Sequence, residues 1–149
     1  SRSSAASDVY KRQSKNRINI PAPLRKQFLT KDKKTFVVTR GIDQCAWIYP
    51  INEWNFIQNE LKQLSSLSKT NRIFLRNHLR HANILKFDSQ GRFVLPQSLI
   101  DYSAIKKDVT IIGVLNKIEI WNPNLLRKID QSDEIDDQSY EELSERVNI

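Results

Sequence analysis

Hydrophobic and polar residues alternate in several short stretches of the chain, and each such stretch predicts a β-strand. The first covers Ile18 and Ile20 and stops at Pro21, and a hairpin follows at residues 36–39 and 45–49. The same order then returns, with strands at 84–87 and 92–95, a proline at position 96, and a hairpin at 109–112 and 118–121. The pattern therefore predicts a mainly β protein.

Short helices are predicted between these strands, because apolar residues there recur at steps of three and four. They begin near Pro21, at Pro50, near Thr70, near Leu99 and at Pro123. In the helix near Thr70 we expect Ile73, Phe74 and Asn77 to face inward. The chain is thus predicted to be mainly β with short helices, an α+β fold.

The two halves of the chain repeat one arrangement of elements. Residues 15–21 align with residues 90–96 at an offset of 75, and the hairpins that end at Pro50 and Pro123 align at an offset of 73. One half has too little core to fold alone. We therefore predict that two similar units interleave their strands in one pseudo-twofold β-barrel.

The turn before each repeated strand is the candidate functional feature. Asn16 and Gly91 hold equivalent positions, and both residue types tolerate the left-handed backbone of a tight turn. Arg17 and Arg92 follow them directly. A two-stranded ribbon fits a DNA major groove, where arginine can bind a guanine edge or a phosphate. The structural alternative is a salt bridge under the turn, with Asp88 as one candidate partner.

The charge of the chain is uneven. The net charge is +7, yet residues 129–149 hold eight acidic side chains against one arginine, a net −7 that leaves +14 on the rest. A basic body favours a polyanionic partner; the alternative is that the charge only keeps the protein soluble. Three arginines at four-residue steps, Arg72, Arg76 and Arg80, fit a DNA contact, a subunit contact or a solvated face.

Catalytic, metal and cofactor sites are not predicted. The single Cys45 lies in an apolar run, which favours a buried thiol in a reducing compartment. His78 and His81 lack a third metal ligand, and no P-loop, dinucleotide turn or Ser-His-Asp order is present. No apolar run is long enough for a membrane helix and no secretory segment is seen. RNA binding and a protein-interaction scaffold remain as alternatives to DNA binding.

The turn motifs resemble those of the MraZ family of bacterial transcription regulators, within the wider AbrB-like group. The resemblance rests on residues 14–21 with Leu24 and Arg25, on residues 88–96, on the turn at 39–43, and on the hairpin ends at 47–50 and 117–121. It covers roughly residues 14–127. It implies two tandem AbrB-type swapped-hairpin units, with no cofactor and no small-molecule substrate.

The same resemblance implies a function and a set of contact residues. It points to a cytoplasmic, nucleoid-associated homo-oligomeric ring that binds tandem repeats in double-stranded DNA ahead of the division and cell-wall genes. Arg17 is the DNA-facing residue it indicates most directly, Arg92 follows by position, and Lys15 is a phosphate or base contact. The full set of expected DNA-binding residues is Lys15, Asn16, Arg17, Arg25, Gln90, Gly91 and Arg92.

The predicted boundaries follow from the repeat. They are a non-native or disordered leader at 1–13, a first unit at 14–64, a helical connector at 65–83, a second unit at 84–130 and a loose acidic tail at 131–149. The leader departs from the family pattern, in which a first strand ends in an acidic turn residue. Gln13 or Ser14 stands where that aspartate is expected.

Overall fold

A computed structural model describes residues 7–11, 16–28, 35–132 and 136–147. Along these residues the strands are β1 (Ser7–Lys11), β2 (Arg17–Asn19), β3 (Thr35–Arg40), β4 (Ala46–Pro50), β5 (Asn83–Lys86), β6 (Arg92–Val94), β7 (Asp108–Val114) and β8 (Lys117–Trp121). The helices are α1 (Ala22–Phe28), α2 (Ile51–Leu61), α3 (Lys69–Arg80), α4 (Gln97–Tyr102), α5 (Pro123–Asp130) and α6 (Asp137–Arg146). The fold is α+β, as predicted.

The strands of the two units are interleaved. One sheet has the order β1-β7-β8-β4-β3-β5, and β2 pairs with β6 in a separate ribbon. Exchanging each strand for its counterpart in the other unit returns the same order reversed, so a pseudo-twofold axis passes between β8 and β4. The hydrogen-bonded sheets of the described residues are open at their edges, and closure into a barrel stays a prediction.

Side chains on the two faces of the six-stranded sheet enter different cores, because successive residues of a strand point to opposite faces. Phe36 and Val38 of β3 pack in one cluster with the ribbon residues Ile18 and Phe93. Val37, between them, packs in a second cluster, which also contains four aromatic or apolar partners from the sheet and α2: Trp47, Tyr49, Trp121 and Trp54. The ribbon therefore covers one face of the sheet, and α2 and α5 cover the other.

The first strand corrects the prediction for the leader. Residues 1–13 were expected to be non-native or disordered. Disorder is wrong for residues 7–11, because β1 pairs with β7 over five residues, from Ser7 opposite Ile112 to Lys11 opposite Asp108. A non-native origin of residues 1–13 stays a prediction. β5 pairs with β3 in the matching way. Val9 with its polar neighbours is too short an alternating pattern to predict a strand, and pairing with β7 stabilises β1.

Two predictions about helices were wrong. In α3 the buried residue is His78, whereas Ile73 and Phe74 are 44% and 39% exposed and Asn77 is exposed as well. The acidic segment, expected to be loose, contains α6, whose N-terminus is capped when Asp136 accepts a hydrogen bond from the backbone N–H of Gln138. No residue of α6 is buried, so local capping and the acidic first turn stabilise this helix more than packing does.

Candidate nucleic-acid interface

The ribbon of β2 and β6 has one buried face and one outward face. Its register is symmetric about the central pair, Ile18 opposite Phe93, and both side chains are buried. The residues on either side of that pair therefore point away from the core. Arg17, Asn19, Arg92 and Val94 form this outward face, which we name the ribbon face.

Both turns that lead into the ribbon adopt the left-handed backbone expected from the sequence. The φ angle is 62° at Asn16 and 78° at Gly91. Each turn extends the ribbon by one hydrogen bond: Leu95 N–H donates to the Asn16 carbonyl over 3.0 Å, and Ile20 N–H donates to the Gly91 carbonyl over 3.3 Å. The turns therefore fix where the two arginines leave the backbone.

The second turn is closed by Asp88. Its Oδ1 accepts hydrogen bonds from the backbone N–H groups of Gln90 at 2.8 Å and Arg92 at 2.9 Å. Its Oδ2 forms an ion pair with Arg92 Nε at 3.0 Å. These contacts, the Arg92 backbone bond foremost, hold the pKa of Asp88 below its ordinary value. The structural role considered for Arg92, a salt bridge under the turn, is thus present.

Arg17 differs from Arg92 in this respect. Within the residues that the structure describes, its guanidinium has no hydrogen bond or ion pair, and its side chain is partly exposed. The position equivalent to Asp88 is Gln13, a neutral residue outside the described part. Arg17 therefore presents its full charge on the ribbon face, whereas Asp88 offsets part of the charge of Arg92.

Arg25 approaches the second turn from α1. Its Nη1 lies 3.5 Å from the Gln90 carbonyl oxygen, and a β-carbon on Gly91 would overlap its guanidinium. Gly91 is thus favoured by its positive φ, and the absence of a β-carbon also leaves room for the Arg25 guanidinium in this position. The contact brings four of the expected residues together at one end of the ribbon: Arg25, Gln90, Gly91 and Arg92.

The first turn is held by a different bond. Asn16 Nδ2 donates to Oε1 of Gln97 over 2.9 Å, and Gln97 Nε2 donates to Asp101 at 2.8 Å. Asn16 therefore shapes the turn through its side chain as well as its backbone. Lys15, the remaining expected residue, lies outside the described part of the chain.

Sequence reasoning missed two members of the ribbon face. Asn19 is exposed and Val94 is 50% exposed, in register with Arg92 and Arg17 respectively. The strand alternation already placed both on the same side as the arginines, which is the signal that could have found them. The face thus offers two guanidinium groups, one amide and one apolar side chain.

Cys45 and His78 are engaged in packing. Burial raises the pKa of the Cys45 thiol and lowers that of His78, whose ring stacks on those of Phe74 and Trp54. Among the described residues, no three His, Cys, Asp or Glu side chains are placed to hold a metal ion. None of the described helices combines the length and apolar character needed to cross a membrane.

The fold and the ribbon define a tandem-repeat α+β protein with a basic ribbon between its units. The chain belongs to the MraZ family: a family model described as "MraZ protein, putative antitoxin-like" matches twice, over residues 10–77 and 78–147. The boundary between the two matches falls near the end of α3, a few residues before β5 begins the second unit.

Curated relatives agree with this assignment. A protein named transcriptional regulator MraZ from Clostridium botulinum (strain Eklund 17B / Type B) is 40% identical over 135 residues, 91% of this chain and 89% of the relative. Proteins of the same name from Natranaerobius thermophilus and Pediococcus pentosaceus are 39% and 34% identical, each over 90% of this chain and 89% of their own.

Proposed function

We propose that this protein is a DNA-binding transcriptional regulator that contacts double-stranded DNA with the ribbon face. The observation that carries the proposal is the pair Arg17 and Arg92, one from each unit, on the outward side of a two-stranded ribbon. The relatives, which are named transcriptional regulators, support the same function.

The ribbon has suitable dimensions and chemistry for a major groove. Arg17 and Arg92 are diagonal neighbours across the two strands, and such neighbours lie about 7–8 Å apart. This distance matches about two base-pair steps of roughly 3.4 Å each. Guanidinium groups can bind guanine or phosphate, Asn19 can bind adenine, and Val94 can contact a thymine methyl group. Lys15, Arg25 and Gln90 would add contacts at the ends of the ribbon.

Sequence specificity in this proposal depends on several copies acting together. One three-residue ribbon makes few base contacts and binds weakly. A homo-oligomeric ring that presents ribbons to tandem repeats, spaced near one helical turn of about 10 base pairs, makes the later contacts intramolecular and raises the affinity steeply. We propose that such repeats precede the division and cell-wall genes and that the protein acts in the cytoplasm at the nucleoid.

RNA binding and catalysis are not favoured. Recognition of single-stranded RNA needs exposed aromatic rings for base stacking. On the described ribbon the one aromatic side chain is Phe93, and it is 4% exposed in the core. The proposed function needs no cofactor, no metal and no small-molecule substrate.

The test is fluorescence-anisotropy titration of DNA carrying tandem repeats, a single repeat or a scrambled sequence, at two salt concentrations. We expect tight binding to the tandem repeats, reduced about 5- to 150-fold in the Arg17→Ala protein, the range of a bidentate arginine contact. Lys106→Ala, a charge loss on an exposed loop, is the matched control. Equal, salt-sensitive binding of all three DNAs, unchanged in the Arg17 variant, would contradict the proposal.

A further inference from the structure

An apolar groove lies between α2 and α3, on the face of the sheet opposite to the ribbon. Leu61, Leu64, Leu75 and Leu79 line it, together with Gln58 and Lys62, and its volume is about 250 Å³. Leu64 and Leu79 are 38% and 42% exposed. Apolar surface of this kind is more often an interaction site when it is contiguous and bordered by charge.

The border of the groove on α3 is basic. Arg72, Arg76 and Arg80, which we name the basic row, stand at four-residue steps and so share one side of the helix, next to Leu75 and Leu79. Arg72 Nη1 also donates to the carbonyls of Ser66 and Leu67, which holds the start of the helix. Among the described residues, none of the three is paired with a carboxylate.

The complementary surface is on α6 of the same sequence. Tyr140, Leu143 and Val147 form an apolar stripe, and they are 65%, 54% and 62% exposed. Beside this stripe, Asp137, Glu141 and Glu145 stand at four-residue steps on one side of the helix, and we name them the acidic row. Both rows have the same length, about 12 Å at 1.5 Å per residue.

We propose that α6 of one copy docks in the groove between α2 and α3 of a second copy, with the acidic row against the basic row. The apolar stripe then covers the leucines, and each of three carboxylates meets one arginine. This contact covers the exposed leucines of the groove and the exposed apolar stripe of α6. It also gives a partner surface to α6, an amphipathic acidic helix with no buried residue.

The repeat favours a groove occupied by α6 of a second copy over one occupied by α6 of the same chain. α6 follows α5 as α3 follows α2, so the basic and acidic helices hold equivalent places in the chain order of the two units. α2 contacts β3 and its counterpart α5 contacts β7, so this equivalent pair lies on either side of the central strands β8 and β4. The basic helix α3 in the first unit and the acidic helix α6 in the second allow copies to join head to tail, which closes rings when the rotation permits.

The proposal deepens the proposed function, because it supplies the contact for the self-association that binding to tandem repeats requires. Since the groove and the ribbon lie on opposite faces of the sheet, docking of α6 leaves the ribbon face open. Self-association can therefore be measured without DNA, and a failure here is separate from a failure of DNA binding.

The test is a charge exchange followed by sedimentation equilibrium of the full chain without DNA. Arg76→Glu and Glu141→Lys each place like charges in contact, and we expect each to weaken self-association about tenfold or more. The double variant restores the opposite charges and should recover most of the association. Glu142→Lys, the same change on the other side of α6, is the matched control and should have little effect.

A pair of introduced cysteines distinguishes docking between two copies from docking within one chain. Leu79→Cys and Tyr140→Cys in one protein, with the native Cys45 buried, should give covalent dimers and higher oligomers on mild oxidation. Cross-links only within one chain would overturn the proposal. So would a double variant that associates no better than the single ones, or a Glu142→Lys protein that is as defective as Glu141→Lys. Single-repeat DNA binding that survives in the Glu141→Lys protein would show that the ribbon acts independently.

Discussion

Replacing Gly91 with alanine should destabilise the second turn by an amount that the geometry allows us to work out. The φ of 78° places Gly91 in the left-handed region, where a β-carbon costs about 1–2 kcal/mol. Alanine also restricts the unfolded chain, which returns about 0.4–1 kcal/mol. The net loss in the free energy of unfolding is therefore about 1 kcal/mol.

The added β-carbon has a second consequence. It overlaps the guanidinium of Arg25, which is the end of a flexible side chain and must move away from the turn. The bond it loses, Nη1 to the Gln90 carbonyl at 3.5 Å, is long and exposed and adds little to the loss. Movement of Arg25 should instead appear in DNA binding, because this charge then leaves the end of the ribbon.

Thermal and urea unfolding measure the first effect. For a chain of this size, about 1 kcal/mol corresponds to a fall in Tm of roughly 2–4 °C. Ser89→Ala, an exposed substitution in the same turn at a residue without positive φ, is the control. A Gly91→Ala protein as stable as wild type, or no more affected than the Ser89 variant, would refute the left-handed turn.

Three further predictions concern single side chains. Asp88→Asn removes the carboxylate charge that faces Arg92, so that DNA affinity should rise and the salt dependence of log K should steepen by up to about 0.9, measured by anisotropy; an unchanged slope would show that the Asp88 charge does not limit phosphate contact by Arg92. Burial lowers the pKa of His78, so the unfolded state takes up this proton at a higher pH than the folded state does. In urea unfolding, the contribution of neutral His78 to the free energy of unfolding should be complete above pH 6.5 and should decrease as the pH falls below it. His78→Leu should remove most of this pH dependence. Glu119→Ala should cost about 2–4 kcal/mol, because the indole N–H groups of Trp47 and Trp121, which donate to its two oxygens at 2.9 and 3.0 Å, lose their acceptor; a Tm within 2 °C of wild type would contradict this.

The ribbon and its turns could be predicted from sequence because they depend on local rules. Alternation placed Ile18 inside and Arg17 outside, and the residue types at 16 and 91 predicted the positive φ angles. The repeat then predicted interleaved units, which the pairing of β2 with β6 confirms.

Long-range pairing and helix orientation could not be predicted in the same way. β1 has a weak local pattern and is stabilised by its partner β7, so its strand was read as a leader. In α3 the apolar Ile73 and Phe74 looked like core residues, yet the sheet accepts His78 instead, between Trp47 and Trp54. The ion pair between Asp88 and Arg92, in contrast, was among the alternatives predicted from sequence, because the two residues are four apart in the chain.

The central claim is that DNA lies on the ribbon face, and site-directed cross-linking tests it most directly. A photoreactive group attached to Asn19→Cys, between the two arginines, should cross-link to tandem-repeat DNA, while the same group at Lys106→Cys should not. The buried Cys45 thiol, with its raised pKa, should stay unlabelled. Strong cross-linking from position 19 and little from position 106 is the predicted result. Cross-linking that is equal at both positions, or absent at position 19 in a protein that binds the DNA, would contradict the account.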